Sequence, residues 1–461
     1  MATPRPGDER DLIALDRDHV FHPYTSIDQQ RAAGARVWSH AEGIRVTGAD
    51  GHEAIDAMSG LWCVAAGYGR SEIAEAMAEQ ARRLPYAHGF VANANAPAIE
   101  LAARLARLTP TGLDHAFFCN SGSEANDTIV KLAWYYWNLR GRPEKKKIIA
   151  RDGAYHGVTI AATSLSGLPH MHALFDLPLP GFLHVRKPHH YREAAPGESE
   201  ADFSRRLAQE LEALILTEGP DTIAAFIGEP VMAAGGVVPP PEGYWAEIQA
   251  VLRRHEILFV ADEVVCGFGR LGEPFGSHVY DLAPDFMTVA KAITSAYFPV
   301  SAAMVSHDLF EVLAKASPEV GAIAHGHTTS LHPIGAAAAL ANLDILEGEG
   351  LLERAKTTGP FLQDALRDAI ATHPLVGEVR GTGLLAAVEL VADREEGTPF
   401  DPEEKVGARL AALAYEAGLI VRPLGDSLGF CPPLIADRGD LEEIVARFTR
   451  AMDRLADERG C

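Results

Sequence analysis

The chain contains few cysteines, and none of them stand in a paired motif. The 461 residues include five, Cys63, Cys119, Cys266, Cys431 and Cys461, which are widely spaced and odd in number. Without a C-x-x-C pair, the sequence indicates neither a zinc ribbon nor a redox motif. We therefore expect reduced thiols and a cytoplasmic location.

Basic residues and long apolar runs are scarce as well. Lys and Arg total 41 against 63 Asp and Glu, which gives a formal net charge of -22. This charge disfavours polyanionic partners, so we expect no nucleic-acid binding. The apolar runs are shorter than the roughly 18 residues that indicate a membrane span. Because the first residues also lack the apolar core of a signal peptide, we expect no membrane association.

The chain does contain a regular alternation of short apolar runs and amphipathic stretches. From about Ser71 onward the apolar runs are AFFC, KIIA, TIAAFIGEP, ILFVADEVV and DFMTVAK. This alternation predicts βα units and a mostly parallel sheet. SEANDTIVKLAWYYWNLRG has helical spacing and ends at Gly141, and a long helix is predicted over SLHPIGAAAALANLDILEGEG. HHYREAAPGESEADFSRR is polar and contains a proline, which predicts a surface excursion.

Two of the predicted strands end in residues that can bind charged groups. Ligands of open α/β sheets bind outside the carboxyl ends of the strands. AFFC leads into Asn120, Ser121, Gly122 and Ser123 and then a helix, and such a turn can bind an anion. In the alternative, Ser123 is merely the helix N-cap. ILFVAD ends in Asp262, whose carboxylate needs a cationic or hydrogen-bonding partner, and the alternative is a structural ion pair or loop cap.

Lys291 follows the run DFMTVA and has apolar neighbours. Most lysines lie on the surface with the stem on apolar neighbours, and this is the alternative for Lys291. Burial would instead depress its pKa and expose a neutral, nucleophilic amine. A phosphate turn, a carboxylate and such a lysine match the phosphate, pyridine nitrogen and aldehyde of pyridoxal phosphate. Tyr155 could cover one face of its ring, although it and His156 could simply be core or surface residues, and Val264, two residues past Asp262, could cover the other face.

Several longer motifs carry a family resemblance across nearly the whole chain. They are HPYT, AMSGLWCVAAGYGR, NSGSEANDTIVKLAWYYW, YHGVTIAATSLSG, FIGEPVMAAGGVVPPPEGYW, ADEVVCGFGR, AKAITSAYFPV, HGHTTSLHP, RGTGLLAAVELV and GLIVRPLGDSLGFCPPLI. In this order they resemble the fold-type I, class III aminotransferases, and among these the pyruvate-dependent omega-aminotransferases. The resemblance implies an α/β fold whose large domain, residues 66–335, has a mostly parallel seven-stranded sheet flanked by helices. Residues 336–461 would form a smaller α/β domain, joined by the N-terminal segment 1–65.

The resemblance also implies a role for each matching residue. Lys291 would bond to the cofactor aldehyde and move the proton, and Asp262 would hold the pyridine nitrogen. The implied cofactor-binding residues are Ser121, Gly122, Ser123, Tyr155, Glu229, Asp262, Val264, Lys291 and Thr328, with Thr328 coming from the partner subunit of a homodimer. The implied substrate-binding residues are Tyr24, Trp62, Phe90, Tyr155 and Arg422. A guanidinium can grip a carboxylate with two hydrogen bonds, although Arg422 alone could equally form a surface ion pair, and the aromatic residues could be core or rim positions.

The implied function is transfer of an amino group from an amine or omega-amino acid to pyruvate or another keto acid by a ping-pong mechanism. An aminomutase or amino-lyase of the same fold is the alternative, and release of ammonia without a keto acid would distinguish it. Whether dimers pair into tetramers stays open. His327, Thr329 and Leu331 depart from the family pattern, so we expect the pocket near the phosphate to differ.

Two further patterns indicate other chemistry but lack the expected context. GFGRLG fits the dinucleotide fingerprint of an NAD-dependent oxidoreductase, but EPFGSH follows where a helix should begin. His325, His327 and His332 could suggest a metal site, but no carboxylate or cysteine stands at ligand spacing beside them, and we expect no metal.

Overall fold

A computed structural model describes residues 9–461. The strands are β1 Trp38–Glu42, β2 Arg45–Gly48, β3 Glu53–Asp56, β4 His115–Cys119, β5 Lys147–Arg151, β6 Phe182–Val185, β7 Ile223–Gly228, β8 Leu258–Asp262, β9 Phe286–Val289, β10 Ser301–Val305, β11 Val376–Thr382, β12 Leu385–Leu390, β13 Leu419–Ile420, β14 Arg422–Leu424 and β15 Ser427–Phe430. The helices are α1 Glu9–His19, α2 Ile27–Ala33, α3 Ser59–Trp62, α4 Ser71–Arg83, α5 Ala96–Leu108, α6 Gly122–Leu139, α7 Ile160–Leu165, α8 Pro169–His172, α9 His190–Glu193, α10 Glu200–Glu218, α11 Tyr244–Arg254, α12 Gly276–Val279, α13 His307–Val320, α14 Pro333–Gly348, α15 Leu351–Ile370, α16 Val406–Glu416 and α17 Arg438–Arg459. Single 3₁₀ turns occupy Phe90–Ala92, Pro220–Thr222, Lys291–Ile293 and Pro402–Glu404.

The large sheet has seven strands in the order β4-β10-β9-β8-β7-β5-β6. Strands β5 to β9 pair in parallel, whereas β10 is antiparallel to both of its neighbours. Every residue of β8 and β9 is buried, as expected where helices cover both faces of a parallel sheet. The predicted mostly parallel seven-stranded sheet is confirmed.

The two faces of this sheet are covered by different helices. On one face, Ile148 and Val260 pack in a cluster with apolar residues of α6. Their chain neighbours Ile149 and Phe259 pack on the opposite face with residues of α10 and α11, since side chains of a strand alternate between faces. Phe203 of α10 is fully buried there. The predicted surface excursion is therefore wrong from Glu200 onward, because Phe203 begins a buried stripe of α10 that continues through Leu207 and Leu211.

Two smaller sheets lie outside the large one. The sheet β1-β2-β3-β13 brings Leu419 of the C-terminal part beside Ile55 in parallel, so residues from both ends of the chain share it. The antiparallel sheet β11-β12-β15-β14 carries Arg422 opposite Gly429. The predicted helices over residues 122–139 and 333–348 are present, and Gly141 follows the first in the left-handed region at φ 68°.

The remaining expectations from composition concern thiols and membrane spans. All five cysteines are free. Among the described residues, we find no helix with the length and apolar character needed to cross a bilayer.

Candidate active site

The ends of β4, β8 and β9 bring the predicted site residues to one edge of the large sheet. Asp262, the last residue of β8, lies opposite Thr288 of β9, and Lys291 follows β9 after two residues. On the other side of β9, Ser301 begins β10 opposite Cys119, the last residue of β4. The turn that follows Cys119 therefore opens onto the same edge as the carboxylate and the lysine.

This turn ends in the N-terminus of α6. Ser121 is the N-cap, and its Oγ accepts a hydrogen bond from the Glu124 amide at 3.2 Å. The alternative in which Ser123 caps the helix is wrong, because the helix begins at Gly122. Ser123 Oγ instead accepts a hydrogen bond from the Val158 amide at 3.0 Å. The first turn of a helix presents backbone N–H groups to an anion, so this turn can bind a phosphate.

Asp262 is buried, with 3% of its surface exposed, and is fixed from three directions. Its Oδ2 lies 2.8 Å from His156 Nδ1 and accepts a hydrogen bond from Asn126 Nδ2 at 3.0 Å, while its Oδ1 accepts one from the Val264 amide at 3.1 Å. Asn126 is held in turn by Thr288, whose Oγ1 donates to Asn126 Oδ1 at 2.6 Å. A carboxylate fixed in this way can present its remaining acceptor capacity to a protonated ring nitrogen.

Lys291 is half-buried at the start of a 3₁₀ turn. Burial lowers the pKa of its ammonium, and the guanidinium of Arg422 lowers it further, while Cys63 and Asp262 oppose this effect. Among residues 9–461, Lys291 Nζ has no hydrogen-bond partner. Its backbone is in the left-handed region at φ 51°, which non-glycine residues adopt only when the surrounding structure enforces it. The surface-lysine alternative is thus wrong, and the residue is a neutral amine candidate.

Tyr155, Val264 and Glu229 lie around the same edge. The charges of Arg422 and Asp262 both act on Tyr155, whose pKa is raised mainly by burial. Val264 packs 3.0 Å from the point that a Cβ on Gly122 would occupy, so a side chain at Gly122 would crowd Val264. The buried Glu229 accepts hydrogen bonds from the amides of Tyr155, at 3.0 Å, and Ala233, at 2.7 Å. Glu229 therefore acts on the site by holding the backbone of Tyr155.

Arg422 is half-buried without an acidic partner among the described residues. Burial lowers its pKa, and Tyr155 and Tyr24 raise it. The predicted alternative of a surface ion pair is wrong, because no carboxylate of the described residues lies within ion-pair distance of Arg422, whereas Arg70 and Arg380, for example, each have one. An unpaired guanidinium beside Lys291 is suited to bind the carboxylate of a substrate.

The three predicted aromatic residues differ in their surroundings. Trp62 is buried and packs 3.6 Å from the point that a Cβ on Gly429 would occupy, directly across the β14–β15 pair from Arg422. Tyr24 is exposed, 6.2 Å from the His170 ring centroid. Phe90 is exposed too and packs near Gly326. Trp62 and Tyr24 thus lie near the guanidinium, and Phe90 lies beside the segment that carries Thr328.

That segment lies against α6 and its preceding turn. Thr329 Oγ1 donates to Asn120 Oδ1 at 2.7 Å, and Thr328 O accepts a hydrogen bond from Tyr86 at 2.7 Å. His325 lies 2.9 Å from Thr128 Oγ1 and from Lys131 Nζ. The Thr328 side chain is exposed. Among the described residues, it makes no hydrogen bond to the phosphate turn.

The dinucleotide fingerprint has a different role in the structure. Residues 267–272 form turns, and the helix that follows, Gly276–Val279, has four residues. Arg270 of this motif is buried and donates hydrogen bonds to Pro432 O at 2.5 Å and to Leu384 O at 3.3 Å. The motif therefore connects separate parts of the chain and lacks the helix N-terminus that a dinucleotide needs.

Sequence reasoning missed Asn126 and His156 as partners of Asp262, and Cys63 and Cys431 as neighbours of Lys291. An available signal was Asn126 itself, a polar residue at helical spacing before the apolar residues Ile129 and Val130. The cysteines gave no such signal, because only the tertiary fold brings residues 63, 291 and 431 together.

The residues present fit pyridoxal phosphate. The helix N-terminus matches the phosphate, Asp262 matches the ring nitrogen, and the Lys291 amine matches the aldehyde. His156, whose Nδ1 contacts Asp262, has a buried Nε2 without a hydrogen-bond partner among the described residues.

Comparison with known proteins agrees with this geometry. Residues 27–452 match the family model described as aminotransferase class-III. A diaminobutyrate–2-oxoglutarate transaminase of Halomonas elongata is 48% identical, with 97% of both chains covered. A putrescine–pyruvate aminotransferase of Pseudomonas aeruginosa is 42% identical, again with 97% of both chains covered. The crystal structure of the omega transaminase from Pseudomonas jessenii in complex with PMP has 47% identity and a TM-score of 0.96, covering 97% of this chain and 99% of that one. The chain belongs to the class III aminotransferases, and it is a transaminase that depends on pyridoxal phosphate.

Proposed function

We propose that this transaminase moves an amino group from an amine or omega-amino acid to pyruvate. The observation that supports this most is Arg422, a half-buried guanidinium without an acidic partner among residues 9–461 and close enough to Lys291 for its charge to lower the lysine pKa. A keto acid whose carboxylate binds Arg422 would bring its keto carbon toward Lys291. Trp62, across the strand pair from Arg422, would then contact the apolar part of the substrate.

The roles of the residues follow from their positions. Bound pyridoxal phosphate supplies an aldehyde for the amino group and a ring that withdraws electrons from the reacting carbon. The α6 N-terminus and Ser121 to Ser123 would bind its phosphate, and Asp262 would keep a proton on its ring nitrogen. Lys291 Nζ, whose pKa is lowered by burial, would accept the proton from the donor carbon and return it on the far side of the transferred nitrogen. The product of the donor leaves before the keto acid binds at the same residues, so we expect ping-pong kinetics.

Trp62 and Phe90 are proposed to limit the size of the donor. A solved transaminase, 47% identical to this chain, carries replacements of a tryptophan, a phenylalanine and an arginine and was engineered for asymmetric synthesis of enantiopure bulky amines. Its tryptophan and phenylalanine have the same sequence separation as Trp62 and Phe90. Because Trp62 is buried against Gly429, it is the more rigid of the two walls proposed here.

Replacing Arg422 with Ala should affect the two half-reactions unequally. A charge-assisted bond to a carboxylate contributes roughly 1.5–3 kcal/mol, so the KM for pyruvate should rise about 10- to 100-fold. The KM for isopropylamine, which has no carboxylate, should change far less. Initial-rate kinetics with each substrate varied in turn would measure both values. Equal losses for pyruvate and isopropylamine would contradict the proposed role, and Arg438→Ala, which removes a guanidinium from the exposed start of α17, is the matched control.

We also propose a homodimer in which each subunit contributes Thr328 to its partner's site. Val91 is 92% exposed, and it holds a φ of 51°, which is rare for a β-branched residue. Tyr86, Phe90 and Ile323 are exposed apolar residues of the same two segments, 84–92 and 320–332, which contact each other through Tyr86 and Phe90. An apolar surface of this kind next to the exposed Thr328 is suited to a second copy of the chain.

Mixing two inactive or weakened variants would test this arrangement. A subunit with Lys291→Ala and a subunit with Thr328→Ala can form a mixed dimer after unfolding and refolding together. If Thr328 serves the partner's site, the site with intact Lys291 receives an intact Thr328, and its affinity for pyridoxal phosphate should return to the wild-type value. If Thr328 serves its own subunit, the mixed dimer should bind the cofactor no better than Thr328→Ala alone.

Two further proposals concern organisation and location. We divide the chain into a small domain, residues 1–65 and 336–461, and a large domain, residues 66–335. The pairing of β3 with β13 supports this division, because it joins the first and last parts of the chain. A cytoplasmic location is supported by the five free thiols.

A further inference from the structure

Asp56 is a buried carboxylate at the end of β3 whose partners belong to one short loop and to a nearby tyrosine. Its Oδ1 accepts a hydrogen bond from the Met58 amide at 2.9 Å. Its Oδ2 accepts bonds from the Gly60 amide at 2.5 Å and from the Tyr68 hydroxyl at 2.7 Å. One side chain, 2% exposed, therefore fixes the backbone of residues 58–60. We call residues 58–62, which include the irregular turn labelled α3, the 58–62 loop.

The 58–62 loop needs such a support because its backbone is strained. Ser59 and Trp62 adopt the left-handed region, at φ 51° and 66°, although neither is a glycine. Residues with a Cβ adopt this region only where the surrounding structure enforces it. Gly60, at φ 65°, lies between them and adopts its conformation without a Cβ clash, so the strain is concentrated at Ser59 and Trp62.

A second anchor holds the loop from the opposite side. Ser59 Oγ donates a hydrogen bond to Cys431 O at 2.6 Å, and the Cys431 amide donates to Ala57 O at 2.7 Å. Arg270, whose guanidinium binds Pro432 O, also reaches Ser59 Oγ at 3.5 Å. This anchor ties the loop to the chain just after β15, the strand that carries Gly429.

The position of the loop determines the position of Trp62. The Trp62 indole packs against Gly429, whose strand partner is Arg422. The next residue, Cys63, is close enough for its charge to act on Lys291. A shift of the 58–62 loop would therefore move the aromatic wall relative to both the carboxylate-binding guanidinium and the reactive amine.

We propose that Asp56 is a positioning residue for donor specificity, which holds Trp62 in place through the amides of Met58 and Gly60. This inference rests on the proposed function, since it concerns the amine that occupies the same pocket. The hydrogen bonds that Asp56 accepts come from this loop and from Tyr68. The loss of Asp56 should change which donors are used rather than whether the chemistry occurs.

The test replaces Asp56 with Asn, which keeps the size of the side chain but sets an N–H₂ group against one of its donor partners. The ratio of kcat/KM for 1-phenylethylamine to that for isopropylamine should rise about fivefold or more, because a displaced Trp62 no longer limits the size of the donor. Trp62→Ala should raise the same ratio. In the double variant, Asp56→Asn should cause no further rise, because the two residues act as one unit.

A second readout needs neither cofactor nor activity. Hydrogen exchange of the peptide that contains Met58 and Gly60 should be faster in Asp56→Asn than in wild type, in the protein without cofactor. Tyr68→Phe removes one of the three bonds to Asp56 and should give smaller changes in the same direction, which covers the case in which Asp56→Asn does not fold. Asp285→Asn is the matched control, since Asp285 accepts a bond from the Phe259 amide at 2.8 Å at the opposite edge of the large sheet.

The outcomes separate the two proposals. Unchanged exchange at Met58 and Gly60 would overturn the positioning role, as would a rise of the donor ratio in Asp56→Asn that is equally large with and without Trp62. Wild-type protein that transfers an amino group from neither amine would instead overturn the proposed donor class, while the exchange measurement would still report on Asp56.

Discussion

Lys291→Ala should lower turnover by about 10⁴-fold or more, since proton transfer by a positioned side chain alone contributes about 10²–10⁴-fold. The variant also loses the amine that bonds to the cofactor aldehyde. The phosphate turn at Ser121 to Ser123 is unaffected, because Ser121 caps α6 and Ser123 binds the Val158 amide independently of the lysine. The purified variant should therefore retain some pyridoxal phosphate after dialysis while showing almost no turnover.

Steady-state rates and the cofactor content after dialysis would measure both effects. Lys315→Ala is the matched control, because Lys315 is exposed on α13 and pairs only with Glu311 there. The control should keep wild-type turnover. Lys291→Ala with turnover near that of the control would contradict the assignment of the reactive amine.

Asp262→Asn should lower kcat by about 10²–10³-fold, the usual loss when one preorganised electrostatic contact of an active site is removed. A neutral amide cannot hold a proton on the ring nitrogen, and without this charge the ring withdraws electrons less strongly. The local fold should survive, since Asn126 is also held by Thr288 and by His156 O, at 2.7 Å. In either orientation, however, the new N–H₂ group faces a donor, either Asn126 Nδ2 or the Val264 amide.

Single-turnover rates with an amine donor would measure this loss apart from cofactor binding. The thermal midpoint of the variant should stay close to that of Asp285→Asn, which carries the same chemical change at the other edge of the sheet. A variant that folds, binds the cofactor and keeps its single-turnover rate would show that Asp262 does not act on the ring nitrogen.

Much of the fold could be predicted from the sequence because the large sheet is built from short, fully buried strands. Parallel strands covered on both faces consist of continuous apolar runs, and β8 and β9 are such runs. The residue after such a strand is confined to the ligand-binding edge, which is why Asp262 and Lys291 stood out. Phe203 shows a different case: Leu207 and Leu211 follow it at helical spacing, but Phe203 alone of the three lies within the polar stretch that ends at Arg206.

The parts of the site that depend on residues distant in sequence could not be predicted in this way. Asp56 and Cys431 come together only through the pairing of β3 with β13 and the return of the chain after β15. The half-buried, unpaired state of Arg422 is equally a property of the fold, because the number of carboxylates in the sequence suggests that any arginine would find a partner. The resemblance to a family supplied Arg422 but neither Asp56 nor Cys431 as a residue of the site, and spacing and composition alone supplied none of the three.

The most direct test is the absorbance of the purified protein with pyridoxal phosphate in the near-ultraviolet and visible range, followed through two additions. The visible band of the bound cofactor should fade when an amine such as 1-phenylethylamine is added, and it should return when pyruvate is added. Recovery with pyruvate would establish both half-reactions at Lys291. A band that fades with the amine but returns with no keto acid present, while ammonia is released, would contradict amino-group transfer to pyruvate.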